Sequence, residues 1–188
     1  MTIALHPALD ADLSFHPTAF TGGALSCHCQ ADPVRVTIDS AIAHNHACGC
    51  TKCWKPQGAV FAVIGVVPRD GVTVVAGQEK LTIVDQKMTI QRHACRACGV
   101  HMYGRIEDPS HAFFGLDFVH AELLDGSEVP PPGFAAFVSS IIEGGVDPGE
   151  MNAVREQIRR LGLEPYDCLD PVLMDTLATH AFRQRHAA

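Results

Sequence analysis

Basic residues and long apolar runs are the two things this sequence has little of. Its 188 residues include 14 Lys and Arg against 21 Asp and Glu, which gives a formal net charge of −7. A negative field of this kind argues against nucleic acid or an anionic membrane as a partner. No stretch of the sequence approaches the roughly 20 apolar residues that a membrane-spanning helix needs. An anionic small molecule would need its own local patch of Lys or Arg.

The first twenty residues also lack the features of a secretory signal peptide. They contain Asp10 and Asp12, no Lys or Arg, and no long apolar run, whereas a signal peptide begins with basic residues followed by an apolar segment. We therefore expect a cytoplasmic protein. Because thiols stay reduced in that compartment, clustered cysteines there bind metal or do redox work more often than they form disulfides.

Seven of the eight cysteines fall into three short clusters. The clusters are Cys27-His28-Cys29, Cys48-Gly49-Cys50-Thr51-Lys52-Cys53 and Cys95-Arg96-Ala97-Cys98-Gly99. A structural zinc site takes four protein ligands, whereas a catalytic one takes three and leaves the fourth position open. Seven thiolates are therefore enough for one site of each kind. An even number of cysteines also permits disulfides, and a catalytic dithiol is a second alternative.

The spacing within the clusters predicts how the ligands are shared. A Cys-x-x-Cys-Gly turn is typical of a zinc knuckle, which supplies two sulfurs and needs two more from elsewhere. The middle cluster already carries three ligands on one loop. We predict two Zn²⁺ ions per chain, one structural and one catalytic. The predicted structural ligands are Cys27, Cys29, Cys95 and Cys98. The predicted ligands of the open site are Cys48, Cys50 and Cys53. Cys168 stands alone, and we interpret it as a buried apolar residue.

Short apolar segments separated by turn signals predict a mainly β fold with antiparallel sheets. The apolar run 60–67 is the clearest strand, and the turn signal at 68–71 predicts a hairpin with 72–75. Further strands are predicted at 80–85, 88–91, 101–106 and 112–119. After residue 125 the apolar spacing predicts helices at 134–143, at about 149–161 and at about 171–185. We expect an N-terminal extension (1–20), a zinc-binding β domain (21–125) and a C-terminal helical subdomain packed on it (126–188).

Several motifs around the cysteines match a known family. They are Gly22-Gly23-x-x-x-Cys27-x-Cys29, His44-Asn45-His46-x-Cys48-Gly49-Cys50-x-x-Cys53-Trp54, Gln91-Arg92-His93, Cys95-x-x-Cys98-Gly99, His101-Met102-Tyr103-Gly104-Arg105-Ile106, Gly115-Leu116-Asp117-Phe118-Val119-His120 and Leu163-Glu164-Pro165-Tyr166-Asp167. From residue 20 onward the chain closely resembles the glutathione-dependent formaldehyde-activating enzymes, or S-(hydroxymethyl)glutathione synthases. The resemblance implies a β-tent of coiled antiparallel sheets stapled by zinc, with a C-terminal helical segment. It also implies a carbon–sulfur lyase that condenses formaldehyde with glutathione in formaldehyde detoxification and one-carbon metabolism.

The chemistry of that reaction suggests roles for residues near the open cluster. A thiol attacks formaldehyde as the thiolate, and a zinc ion with an open position can bind the incoming sulfur and remove its proton. Polarisation of the formaldehyde oxygen by zinc is the alternative. The candidate proton donors are His44 and His46. The candidate glutathione contacts are Lys52, Trp54, Lys55, Tyr103, Arg105 and Asp117, with His120 a further candidate. Each of these residues also has an ordinary structural or solvated alternative.

Two other function classes stay open at this point. A carrier would bind glutathione or its adduct without accelerating the adduct's formation. A zinc-built interaction module would bind no thiol, although an open three-cysteine site argues against it. The sequence does not determine the oligomeric state and is compatible with a homo-oligomer.

Overall fold

The computed structural model describes residues 3–10, 20–125 and 129–186. Within these ranges the chain forms two β-sheets, one short N-terminal helix and two C-terminal helices. The strands are β1 (Gly23–Ser26), β2 (Arg35–Ile38), β3 (His44–Cys48), β4 (Ala62–Pro68), β5 (Val72–Ala76), β6 (Leu81–Ile83), β7 (Gln91–Cys95), β8 (His101–Arg105), β9 (Leu116–His120), β10 (Phe134–Ala136) and β11 (Glu164–Pro165). The helices are α1 (Pro7–Asp10), α2 (Met151–Arg160) and α3 (Pro171–His186). Part of the predicted N-terminal extension and residues 126–128 of the loop after residue 125 lie outside the described residues.

The large sheet has eight strands in the order β11-β10-β3-β4-β9-β8-β7-β6, and the small sheet has the order β1-β2-β5. Most neighbouring strands are antiparallel, but β10 pairs in parallel with both β3 and β11. The central strand β4 is buried at six consecutive positions, which accounts for its unbroken apolar sequence. The predicted mainly β fold with a C-terminal helical segment is confirmed. No helix in the described part of the chain is long and apolar enough to span a membrane.

Three strand predictions need correction. The segment 72–75 does not form a hairpin with β4; as β5 it pairs with β2 in the small sheet. The reason is that both edges of β4 are already paired, with β3 on one side and β9 on the other. The strand predicted at 88–91 begins only at Gln91. The strand predicted at 112–119 begins at Leu116, because 112–115 form a turn that ends on Gly115 with a φ of 88°.

The helix predicted at 134–143 is wrong. Phe134–Ala136 instead forms β10, and a short 3-10 turn covers Val138–Ile142. Between them Phe137 has a φ of 54°, which interrupts any regular helix. The free edge of β3 accepts β10 as a neighbour, so strand pairing overrides the helical spacing of the apolar residues. The helices predicted at about 149–161 and 171–185 are confirmed as α2 and α3.

The core has two main parts, and each joins distant segments of the chain. In the first, Met151, Val154 and Ile158 on one face of α2 pack with Leu5 and Phe61. Residues from the start and the end of the chain therefore share one core. The second part lies between the two sheets, where residues of β1 and β2 pack against residues of β4, β8 and β9. Cys168 is exposed rather than buried, because it lies on the connection between β11 and α3.

Candidate active site and metal centres

Four cysteines from both sheets meet at the edge of the second core. Cys27 and Cys29 follow β1, whereas Cys95 ends β7 and Cys98 lies in the turn that follows. Their sulfur atoms all lie within 4.8 Å of one another, and Cys29 Sγ is 3.8 Å from Cys95 Sγ. A tetrahedral zinc with bonds of about 2.3 Å sets its sulfur ligands about 3.8 Å apart. These four residues can hold a metal ion, and they complete a closed coordination shell.

The local backbone prepares this cluster for a positive ion. Val34 donates its backbone N–H to Cys27 Sγ at 3.1 Å. Burial raises the pKa of Cys95, but hydrogen bonds from the backbone N–H groups of Cys98 and Ala97 outweigh this effect and lower the pKa to about 7. The knuckle turn closes when Gly99 N donates to Cys95 O at 2.7 Å, and Gly99 has a φ of 75°. A side chain at that position would strain the turn, which explains the glycine of the knuckle sequence.

The second cluster lies where β3 ends. Cys50 Sγ is 3.3 Å from Cys53 Sγ, and Cys53 Sγ is 3.7 Å from Cys48 Sγ. Among the described residues, no fourth His, Cys, Asp or Glu joins this group. The three sulfurs can therefore hold a metal ion whose fourth position is not filled by a side chain. The structure brings together the same four and the same three cysteines that the spacing grouped.

Two contacts fix the loop that carries these three cysteines. Lys55 Nζ donates to the carbonyl oxygen of Cys50 at 2.6 Å and to that of Cys53 at 3.4 Å. Gly49 packs so tightly that an added Cβ would lie 2.5 Å from the carbonyl oxygen of Phe137. Hydrogen bonds with the thiols of Cys48 and Cys53 hold the pKa of Cys50 far below its ordinary value. The loop thus presents a thiolate at neutral pH, which suits a soft metal ion.

A cavity of about 670 Å³ opens beside the three-cysteine cluster. Its volume lies in the range of small-molecule binding sites. Strands of the large sheet and the loops between them form most of its wall, and α3 contributes Leu173 and Leu177, which lie one helical turn apart. The helix is attached to the rim because His180 Nε2 and Gln184 Nε2 both lie within hydrogen-bonding distance of the carbonyl oxygen of Ser110.

Both predicted proton donors line this cavity, in different settings. His44 is exposed, whereas His46 is buried and its ring stacks on Phe134 with a centroid distance of 5.2 Å. Burial lowers the pKa of His46 to about 4. At neutral pH this ring is therefore uncharged. A catalytic role for either histidine stays a prediction.

The predicted glutathione contacts divide into two groups. Lys52 and Tyr103 line the cavity. Within the described residues, Trp54, Lys55, Arg105 and Asp117 are not part of its wall. Arg105 Nε donates to Asp117 Oδ1 at 2.8 Å, and Asp117 is fully buried. Trp54 packs edge-on against His28 and His120. The second group thus has established partners inside the protein, and a contact between its members and glutathione stays a prediction.

Arg92 and His101 also line the cavity, although neither was predicted as a site residue from the sequence. The charge of Arg92 acts on the thiol of Cys53, but the hydrogen bond with Cys50 and burial outweigh it and raise the pKa of Cys53 to about 11. Burial and the charge of His120 lower the pKa of His101 to about 4. Both residues fall inside the family motifs, which was the available signal. Strand alternation alone could not show that β7 and β8 face a loop that follows β3.

The ring of His120 contacts a buried carboxylate, that of Glu122. Its Nδ1 lies 3.1 Å from Glu122 Oε1, and the same oxygen lies 3.7 Å from Nε2 of His6 near the N-terminus. Burial raises the pKa of Glu122, but the two histidines outweigh this effect and lower the pKa to about 2. Glu122 is therefore ionised at neutral pH and fixes the ring of His120, which lines the cavity and lies edge-on to His101 at 5.9 Å.

The family model described as glutathione-dependent formaldehyde-activating enzyme matches residues 23–140, a range that includes all seven clustered cysteines. The chain belongs to this family. A protein of Fusarium vanettenii named "Putative glutathione-dependent formaldehyde-activating enzyme" is 55% identical over 179 residues, which cover 95% of this chain and 96% of that protein. A crystal structure of a Rhodobacter sphaeroides protein, 22% identical, covers 76% of this chain and 97% of its own, with a TM-score of 0.43. Membership in the formaldehyde-activating family confirms the resemblance carried by the motifs.

Proposed function

We propose that this protein condenses glutathione with formaldehyde to S-(hydroxymethyl)glutathione, as a carbon–sulfur lyase of formaldehyde detoxification and one-carbon metabolism. The observation that carries the proposal is the convergence of Cys48, Cys50 and Cys53 at a cavity of small-molecule size, with no fourth protein ligand among the described residues. When zinc is bound there, it supplies an open position at which an incoming thiol loses its proton. The family membership supports glutathione and formaldehyde as the substrates.

The side chains around the cluster keep the reacting sulfur out of water. Cys48 is buried together with Ile64, and Phe118 and Phe137 pack against the same group. A thiolate with little water around it is less stabilised by solvent and attacks an electrophilic carbon more readily. Lys52 and Arg92 line the cavity as cations and are the proposed partners of the glycyl carboxylate of glutathione.

The oxygen of formaldehyde becomes an alkoxide when the thiolate attacks, and it must receive a proton. We assign this step to His120, because a histidine oriented by a buried carboxylate is a common acid–base arrangement. Glu122 is then a positioning residue, since it reaches the substrate only through His120. His44, which is exposed, and His46, which is buried, also line the cavity and are the alternative donors predicted from the sequence.

The test compares two cysteine variants with the wild type. Exchange between free glutathione and its formaldehyde adduct is measured at equilibrium by NMR, and zinc is counted on the same anaerobic preparation. Wild-type protein should carry two zinc ions and accelerate the exchange. Cys50→Ser should keep one zinc and lose the acceleration, whereas the control Cys168→Ser, at an exposed cysteine outside both clusters, should match the wild type. A wild type that binds glutathione without accelerating exchange is a carrier, and the proposal is then wrong.

A further inference from the structure

The cavity is far larger than formaldehyde requires. Formaldehyde has two heavy atoms, whereas a volume of about 670 Å³ is typical of sites for drug-sized molecules. The space beside the three cysteines is therefore larger than a one-carbon carbonyl and the sulfur that attacks it would fill.

The chemistry of the wall does not match the polar parts of glutathione. That molecule carries two carboxylates and one ammonium group. The lining contains two permanently charged cations, Lys52 and Arg92, and no Asp or Glu among the described residues. An ammonium group in this cavity would find no carboxylate partner among the described residues, since the cysteine thiolates of the lining would be taken up by the metal ion, and burying it unpaired is costly. We expect the γ-glutamyl end of glutathione to stay outside, with its cysteinyl sulfur reaching the open cluster.

Apolar side chains line the cavity beside the cysteines and on α3. Phe118 and Phe137 pack against the cysteine group. On α3, Leu173 and Leu177 are the two residues whose apolar side chains line the cavity. Both are half-buried, while their neighbours Val172 and Met174 are exposed. This surface suits an apolar chain attached to the carbon that the sulfur attacks.

We propose that the cavity takes a medium-chain apolar aldehyde, whose carbonyl carbon lies at the open cysteine cluster and whose chain extends toward Leu173 and Leu177. The inference rests on the proposed function, because the reaction is the same. The thiolate sulfur forms a bond to the carbonyl carbon, and the carbon–oxygen π bond opens to an alkoxide. The proton that the thiol lost returns to this oxygen, which gives a hemithioacetal. Nothing is oxidised or reduced.

The first experiment measures hemithioacetal exchange with glutathione for formaldehyde, propanal and hexanal. The quantity compared is the acceleration, the exchange rate with protein divided by the rate without it. Each methylene group that moves from water into an apolar site should raise the acceleration by about fourfold, until the cavity is full. Hexanal should therefore exceed propanal, and propanal should exceed formaldehyde.

The second experiment reduces the space beside α3. Leu173→Trp places a larger side chain in the cavity and should lower the ratio of hexanal to formaldehyde acceleration by about tenfold. Val172→Trp is the matched control, because Val172 is the next residue on the same helix and is 72% exposed. It should leave the ratio unchanged. Circular dichroism checks that both variants fold, and Leu177→Trp replaces Leu173→Trp if the latter does not.

The outcomes separate this inference from the proposed function. Acceleration of formaldehyde exchange without any gain for hexanal overturns the inference and leaves the proposed function standing. Acceleration of hexanal exchange alone supports the inference and overturns formaldehyde as the substrate. If Leu173→Trp lowers both accelerations equally, the cavity holds glutathione itself and the inference is wrong. If the protein accelerates neither reaction, both are wrong.

Discussion

Replacing Cys95 by Ser should unfold the protein. Cys95 is fully buried in the core between the two sheets, and its sulfur joins a cluster whose other members follow β1 of the small sheet and β7 of the large sheet. Apparent binding energies of structural zinc are on the order of 10 kcal/mol or more at neutral pH. A domain of this size has a total free energy of unfolding of about 5–15 kcal/mol. Loss of the metal therefore removes most or all of the stability.

The assay is thermal unfolding followed by circular dichroism, with zinc content measured on the same sample. Cys95→Ser should lack the cooperative transition of the wild type, or should aggregate during purification. Cys168→Ser, the exposed cysteine, serves as the control and should unfold like the wild type. Cys50→Ser should also stay folded, since its cluster lies outside the core between the sheets. A soluble Cys95→Ser variant with two zinc ions and an unchanged melting temperature would refute the reasoning.

Two further predictions concern the residues that support the open site. In Gly49→Ala the new Cβ would lie 2.5 Å from the carbonyl oxygen of Phe137, so the loop that carries the three cysteines must shift. The variant should therefore bind about one zinc ion per chain and lose glutathione exchange. Elemental analysis that finds two ions would contradict this. Glu122→Gln tests the buried carboxylate. Because the pKa of Glu122 is lowered to about 2, its charge stabilises the fold fully above about pH 4.5, and this contribution of about 3 kcal/mol is lost as the pH falls toward 2. The free energy of unfolding, measured with urea between pH 2 and pH 7, should therefore depend less steeply on pH for Glu122→Gln than for the wild type. An identical pH dependence would show that the charge of Glu122 does not stabilise the fold.

The metal ligands could be predicted from sequence because their grouping is largely local. Cys48, Cys50 and Cys53 lie on one loop, so their spacing alone brings the sulfurs together. The cavity could not be predicted in this way. Its wall combines side chains from strands that are neighbours only through the order of the large sheet, such as Arg92 on β7, with side chains from α3. The local pattern of apolar residues predicts the individual strands and helices. The order of the strands in the sheet depends instead on which strand edges remain unpaired.

The segment 134–143, for which the sequence wrongly predicted a helix, also forms part of the site. Residues 134–143 have apolar spacing that favours a helix, yet β10 completes the free edge of β3, and Gly49 N donates to Ala136 O at 2.9 Å. This pairing sets Phe137 against the cysteine group, and the next connection pairs back onto the same segment through Val138 N and Tyr166 O at 3.0 Å. The chain then enters α3, which lines the cavity through Leu173 and Leu177. The C-terminal part is therefore not only packed on the β-sheets. It supplies a wall of the cavity, and that wall is where specificity for the carbonyl substrate would be decided.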